Sequence, residues 1–338
     1  MNSYLTAPRF NPILLDLPGP LAVSWYGMMY LCGFLFAYFF VRRHIKRREI
    51  VMTQDEFSNF IALIFLGVLV GGRLGFCLFV HPSYYIRHPA QILAVWDGGM
   101  YFFGGLLAAM FLPWLAIRKT DLNYLDVADL IIIPAPIGLA FGRFGNFING
   151  EFWGKPSRAP WAMVFDTVPP SDRFDPSLSW VSEWMAEIGM EAPRSGLVNL
   201  PRHPVQLYEL VLEGIILFFI LLAFRGIGKP KPRGSVLSLF LVGYGLMRFW
   251  IEFYRHPTSH SAVIAGNWFT ISMLFSVPMV LFGAFGLIWS FRKGVPNAVY
   301  GDPTTRAGTK SSSGGSAGSR GKKSGNPGKS GSKSRKKR

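Results

Sequence analysis

Seven apolar runs divide this chain, at about residues 21–41, 57–80, 98–117, 127–148, 207–224, 236–253 and 268–291. Each is near the ~20 apolar residues that cross a bilayer core as a helix. The expected fold is an all-α integral membrane protein with about seven transmembrane helices. Two stretches break the pattern. Residues 1–20 are rich in proline, and residues 151–204 mix prolines, tryptophans and both signs of charge. The expected organisation is an extracytoplasmic N-terminal segment 1–20 and spans 1–4 in 21–150. A small extracytoplasmic head domain over 151–204 follows, then spans 5–7 in 205–293 and a basic tail over 294–338.

Charge in the short connections orients the runs. Arg42, Arg43, Lys46, Arg47 and Arg48 follow the first, Arg118 and Lys119 the third, and Arg225, Lys229, Lys231 and Arg233 the fifth. Arg292 and Lys293 follow the seventh, whereas the intervening short loops offer little beyond Arg87 and Arg255. Basic residues stay on the cytoplasmic side, which sets the N-terminus outside and the C-terminus inside. The formal charge of +16 is not a nucleic-acid signal. Residues 297–338 carry eleven Lys and Arg against one Asp, so ten of the sixteen surplus charges sit in the tail. A Gly, Ser and Lys/Arg tail cannot bury a core and is expected to be disordered. Contact with anionic membrane lipids would add ~1 kcal/mol per basic residue near the surface. Cys32 and Cys77 lie in apolar runs and suggest neither a disulfide framework nor a metal site. No basic region followed by a short apolar core opens the chain, so the first span is expected to do the targeting.

The fourth run ends abnormally. Gly142-Arg143-Phe144-Gly145-Asn146-Phe147-Ile148-Asn149-Gly150-Glu151-Phe152-Trp153-Gly154 introduces charge and amides where the run should stay apolar. An ionisable group within a span costs about 2.5–3.5 kcal/mol on insertion scales, and its default reading is a functional site. If the helix continues through Asn149, Arg143, Asn146 and Asn149 share a face. Packing through Gly138 and Gly142 would explain the glycines, but not Arg143, Asn146 and Glu151 together. In the sixth run Tyr244, Arg248 and Glu252 recur every four residues and form one stripe. The charge orientation brings both motifs to the outer half of the bilayer. Trp25-Tyr26-Gly27 and the stretch beginning at Trp96 open inward-running spans, so they reach the same depth.

Two arginines, amide donors and a tyrosine at headgroup depth suit a lipid phosphate, which guanidinium binds bidentately. The same groups would stabilise a departing phosphate. There is no His/Cys/carboxylate spacing for metal hydrolysis and no Gly-x-Ser-x-Gly elbow for a serine lipase.

These residues resemble the signature of the prolipoprotein diacylglyceryl transferases. The resemblance covers about residues 20–290 and extends through Gly71-Gly72-Arg73, Trp96-Asp97-Gly98-Gly99-Met100, Arg202-His203-Pro204-Val205-Gln206-Leu207-Tyr208-Glu209 and Gly243-Tyr244-Gly245. It implies an inner-membrane enzyme that moves the diacylglyceryl group of phosphatidylglycerol onto the lipobox cysteine of prolipoprotein signal peptides. It implies no cofactor, no metal and no nucleic-acid partner. On the matching positions, Arg143 and Arg248 would hold the phosphate, and Asn146, Glu151 and Tyr26 would position headgroup and thiol. Glu252 would orient Arg248, Gly154 would let the chain pass closely, and Tyr244 would line the lipid site. Arg73 would face the headgroup or act as a buried structural charge. His203 reads as a loop-capping residue rather than a catalytic one.

Two positions depart from the pattern. Phe103 stands where the family commonly has a histidine, and a Gly-Gln pair near the start of the seventh span is missing. A non-catalytic paralogue that binds lipid or lipobox peptide would carry the same motifs. A polar-lined transporter would need discontinuous paired spans or an inverted repeat, and neither is visible.

Overall fold

The structure is a computed structural model describing residues 4–16, 22–47, 50–79, 81–94, 99–118, 120–191, 196–227, 230–256, 263–266 and 268–299. Helices dominate it. Three are long and apolar enough to cross a membrane, and a bent pair makes a fourth candidate. The disordered-tail expectation for 304–338 lies outside the described residues, as do Trp96, Asp97 and Gly98.

The chain begins with short strands that hydropathy did not reveal. β1 (Leu5–Thr6) and β2 (Ile13–Asp16) precede β3 (Ala22–Ser24), which pairs antiparallel with β2. Helix α1 (Trp25–Lys46) starts where the Ser24 hydroxyl accepts from Gly27 N, and it ends on Arg43, His44 and Lys46. Cations in a last turn complement the helix dipole. Helix α2 (Gln54–Phe79) opens with a reciprocal capping box. Glu56 N donates to Thr53 Oγ1 at 3.2 Å, and Thr53 N donates to Glu56 Oε2 at 3.0 Å.

After the short α3 (Pro82–Arg87), α4 (Phe102–Ile117) packs on α2 through a glycine seam. A Cβ at Gly71 would lie 2.4 Å from Gly104 O, and one at Gly104 would lie 2.3 Å from Gly71 O. Only glycine permits that approach of two helix backbones.

The fourth run is not one helix. It forms α5 (Tyr124–Ile131) and α6 (Ala135–Ile148), bent by 46°. Pro134 and Pro136 remove two amide donors at the junction, which interrupts the hydrogen-bond ladder. α6 packs along α1, where a Cβ on Gly33 would stand 3.0 Å from Gly138 Cα. A Cβ on Gly142 would meet nothing within 4 Å, so Gly142 borders open space beside Arg143.

Residues 151–204 hold β4 (Met163–Val164) and α7 (Ser179–Glu187). Val181, Trp184, Met185, Val198 and Leu200 form a small core there. β4 pairs in parallel with β1, so the N-terminal segment is structurally joined to this region rather than separate from it. The fifth run is a continuous helix, Val205–Gly226. It comprises α8 (Val205–Glu209), a π-helical turn Leu210–Ile216 and α9 (Leu217–Gly226). The sixth and seventh runs are α10 (Ser235–Ile251) and α11 (Ile271–Lys293), with β5 (Val263–Ala265) and β6 (Phe269–Thr270) paired between them.

One end of the bundle is closed by a polar clasp. Arg233 grips Asp126 through Nε and Nη2, both at 2.8 Å. Asp129 accepts from Gly234 N at 2.7 Å, Leu237 N at 2.8 Å and Asn297 Nδ2 at 3.0 Å. The clasp ties the start of α10 and the residues after α11 to α5.

Candidate functional site

The opposite end of α6 and α10 carries a different ionic cluster. Arg143 projects from α6 and Arg248 from α10, and between them the helix Val205–Gly226 presents Glu209 and Glu213 four residues apart. Arg143 Nε lies 3.2 Å from Glu209 Oε2, and Arg143 Nη2 lies 3.5 Å from Glu213 Oε2. Arg248 Nη1 bonds Glu209 Oε1 and lies 3.8 Å from Glu213 Oε1, while its Nη2 lies 3.1 Å from Glu252 Oε2. Arg255 Nη1 reaches Glu209 Oε1 at 2.8 Å. Thr270 Oγ1 donates to Glu252 Oε1 at 3.1 Å, and Arg248 Nη2 also reaches Ser272 Oγ at 3.4 Å.

Burial is uneven. The side chains of Glu209 and Glu213 are 0% exposed and that of Glu252 is 1%, whereas Arg143 keeps 20% and Arg248 12%. The carboxylates therefore form the floor and the guanidinium groups the open edge. Buried charges persist only when paired, and here each arginine is held from behind by glutamate. Such a surface presents forked donors to an anion arriving from outside.

Tyr244 lies one turn before Arg248, stacked on Phe240 at 5.7 Å and within electrostatic reach of Arg143, Arg248, Glu209 and Glu213. Tyr26 stands at the start of α1 with its hydroxyl 3.1 Å from that of Tyr30. Its ring packs on Gly145, where an added Cβ would stand 3.0 Å from Tyr26 Cδ2. Both Arg143 and Glu151 are within its electrostatic reach.

α6 stops at Ile148 and Asn149 is its C-cap, so the expected common face of Arg143, Asn146 and Asn149 divides. Asn146 Nδ2 donates to Glu151 Oε2 at 3.4 Å and Asn149 Nδ2 to Glu151 Oε1 at 3.3 Å, whereas Arg143 turns to Glu209 and Glu213. Buried Gln206 fixes the same turn by donating to Glu151 O at 2.6 Å. Phe152 follows with φ 59°, the left-handed region that few non-glycine residues occupy, and its ring carries the Arg255 guanidinium at 5.0 Å.

Gly154 marks a crossing of three chain segments. A Cβ there would lie 2.6 Å from Tyr254 O, 2.6 Å from Val205 Cγ2 and 2.7 Å from His203 Cβ. Any larger residue would push residues 151–204 away from the turn carrying Glu252 and Arg255. Arg73 is engaged elsewhere. Buried in α2, it donates to Gln91 O at 2.7 Å, Ile92 O at 3.0 Å and Gly99 O at 3.4 Å, over the Tyr85 ring at 5.4 Å. Phe103 falls within α4, but its side chain lies outside the described residues.

His203 is set by its neighbours. Trp161 Nε1 donates to Tyr208 OH at 2.6 Å, and that hydroxyl lies 2.9 Å from His203 Nδ1. Across that contact either the hydroxyl or the imidazole N–H donates, according to the ring's tautomer. Burial also pushes the His203 pKa below its ordinary value, which favours the neutral ring. Among the described residues no group of three His, Cys, Asp or Glu is placed to hold a metal ion.

The family model for prolipoprotein diacylglyceryl transferase matches residues 12–289. The chain belongs to the prolipoprotein diacylglyceryl transferase family. A protein named phosphatidylglycerol–prolipoprotein diacylglyceryl transferase from Photorhabdus laumondii subsp. laumondii is 42% identical over 296 residues, covering 86% of this chain and 96% of that one. Proteins of the same name from Yersinia pestis and Yersinia pseudotuberculosis are each 40% identical over 297 residues, covering 86% of this chain and 97% of theirs. The family match spans every element of the ionic cluster.

Glu213 and Arg255 had no part in the sequence-based site, and Glu209 entered only as a motif residue. The signal for Glu209 and Glu213 was present: two carboxylates four apart inside an apolar run are as anomalous as Arg143. Arg255 gave less warning, because it looks like an ordinary loop cation just beyond the sixth run.

Proposed function

We propose that this chain transfers the diacylglyceryl group of phosphatidylglycerol to the lipobox cysteine thiol of prolipoprotein signal peptides, the first step of lipoprotein maturation. The observation that carries this reading is the pair of partly exposed arginines, Arg143 and Arg248, seated on buried glutamates within a chain of this family. The thiol sulfur attacks the glyceryl carbon bearing the phosphodiester. A C–S bond forms, the C–O bond to phosphate breaks, glycerol phosphate leaves, and the thiol proton is released.

Arg143 and Arg248 bind the lipid phosphate and stabilise the charge that grows on it, an effect worth about 10²–10³ in rate for one well-placed donor. Glu209 and Glu252 are positioning residues that hold the two forks in register. Asn146, Asn149 and Glu151 form a second polar group beside Tyr26, which receives the glycerol headgroup and the incoming thiol. Tyr244 lines the phosphate site between the arginines. His203 is a poor base in this arrangement, because burial lowers its pKa and its Nδ1 is engaged with the Tyr208 hydroxyl. Glu151, or a water held between Glu151 and the Tyr26 hydroxyl, takes the thiol proton.

The protein lies in the bacterial inner membrane as seven spans. α1, α4 and α10 join the three long helices and the bent α5–α6 pair in that count. Residues 151–204 and the ionic cluster face the outer side, and the clasp at Asp126 and Arg233 faces the cytoplasm. The test of activity is transfer from labelled phosphatidylglycerol to a lipobox peptide by the purified chain. No product at any lipid concentration sinks the reading. The topology has its own test. Cysteine in place of Ser195 should react with a membrane-impermeant maleimide in intact cells, and cysteine in place of Ser311 should not. The reverse pattern would invert the orientation.

A further inference from the structure

Within the cluster the carboxylates are not equivalent. Glu209 is held by Arg143 at 3.2 Å, by Arg255 at 2.8 Å and by Arg248. Glu252 has Arg248 at 3.1 Å and a donated hydroxyl from Thr270. Among the described residues Glu213 has only loose ion pairs, 3.5 Å to Arg143 and 3.8 Å to Arg248, and neither of its oxygens accepts a hydrogen bond although its side chain is wholly buried. It sits on the π-helical turn Leu210–Ile216, a distortion that recurs at functional sites. Its two partners are the two arginines assigned to the lipid phosphate.

The charges around it close the count. Arg143 faces it from α6, Tyr244 and Arg248 face it from α10, Arg255 approaches from the turn beyond α10, and Glu209 shares its own helix. Three arginines balance Glu209, Glu213 and Glu252. A phosphodiester brings one more negative charge into a buried, already neutral cluster, and an uncompensated buried charge is strongly unfavourable. The arginines that turn outward to the phosphate are those that leave Glu213, and among the described residues Glu213 has no hydrogen bond to replace them.

We propose that Glu213 is the resident counter-ion of Arg143 and Arg248, displaced when the lipid phosphate binds, and that its carboxylate takes up one solvent proton as it is displaced. This rests on the transferase reading given above. Glu213 is thus a positioning residue that couples lipid loading to protonation. It keeps the arginines paired while the site is empty and releases them to the phosphate.

The experiment measures phosphatidylglycerol binding and transfer by the full chain in detergent micelles from pH 6 to pH 9. One-proton linkage makes the native KM for lipid rise by about tenfold or more across that range. Glu213→Gln should give a KM nearly independent of pH and about tenfold below the native value at pH 9, with kcat little changed. Calorimetry of lipid binding in two buffers of different ionisation enthalpy should show the native chain taking up a proton and Glu213→Gln taking up none. An unchanged pH slope in Glu213→Gln, or a KM raised at every pH, would make Glu213 a plain structural support and overturn the proposal. So would absence of proton uptake by the native chain, a result that does not depend on the variant folding. A native chain that binds lipid with proton uptake yet transfers nothing would remove the transferase reading and leave the role of Glu213 intact.

Discussion

Two buried ionic clusters stand at opposite ends of this bundle, and their hydrogen bonding separates them. At the Asp126–Arg233 end the pairing is complete: a two-pronged guanidinium grip at 2.8 Å, and an Asp129 carboxylate with three donors. At the Arg143–Arg248 end, Glu209 Oε2, Glu252 Oε2 and both oxygens of Glu213 lack hydrogen bonds among the described residues. Buried polar groups are normally satisfied, and exceptions call for a reason. A satisfied network rigidifies a fold. An undersatisfied one whose cations remain partly exposed is built to change partners. On the reading proposed above, the first cluster is a clasp and the second a site.

The comparison breaks most sharply under charge removal. Arg143→Ala and Arg248→Ala should each lower transfer by about 10²–10³-fold, the scale of losing one donor to a developing anion. Folded protein should still accumulate in the membrane. Labelled-lipid transfer by purified variants checks this, and full activity in either variant removes that arginine from the site. Asp126→Ala should do the opposite. It leaves Arg233 beside buried Asp129 without its own partner, at a cost of about 3 kcal/mol, the low end for a buried pair because Arg233 is partly exposed. The expected result is a clearly lower Tm in detergent with transfer per folded molecule nearly intact. An Asp126→Ala protein of native Tm would show that the clasp stabilises nothing.

A smaller effect sharpens the same contrast. Arg248→Lys keeps the charge but loses the fork that spans Glu209, Glu213 and Glu252, so it should recover transfer only partly. Kinetics of the alanine and lysine variants side by side decide it. Equal activity of Arg248→Lys and the native chain would mean that bidentate geometry is irrelevant there.

How much of this was legible depends on what each feature needs from the rest of the chain. The long apolar runs announce themselves through composition, and α2, α11 and the helix Val205–Gly226 follow them within a few residues. The break between α5 and α6 was written in Pro134 and Pro136, which the run's apolarity masked. β1 and β4 are two residues each and pair across more than 150 positions, so no local period marks them. Arg143, Arg248 and Glu252 stood out as charges in membrane runs. Glu209 and Glu213 were visible as carboxylates in an apolar run, but their pairing with Arg143 and Arg248, and that of Arg255 with Glu209, needed the fold, because contact between α6, α10 and the helix Val205–Gly226 is a tertiary property. The same holds for Asn146 and Asn149, whose common acceptor Glu151 depends on where α6 ends.

Phe103 should give the smallest effect. The reacting thiol must lose its proton, and a free cysteine with pKa near 8.5 is about 3% thiolate at pH 7. Complete ionisation could therefore raise the rate by no more than about thirtyfold. The cluster as a whole is neutral, but the partly exposed guanidinium groups of Arg143 and Arg248 at its edge favour a nearby thiolate locally, so part of that factor is realised without a base. Phenylalanine at 103 offers no proton acceptor, but in the proposed site Glu151 and water remain to take the proton. The native chain should be active, Phe103→Leu should keep most of that activity, and Phe103→His should gain about fivefold at most near pH 7. Initial rates of transfer to a lipobox peptide across pH 6 to 9 measure all three. A gain in Phe103→His that vanishes at high pH, where the thiol ionises unaided, would identify the new imidazole as a base. A native chain that transfers nothing while Phe103→His does would mean the arginine field cannot ionise the thiol. The open ionic cluster would then be a lipid-binding site without chemistry.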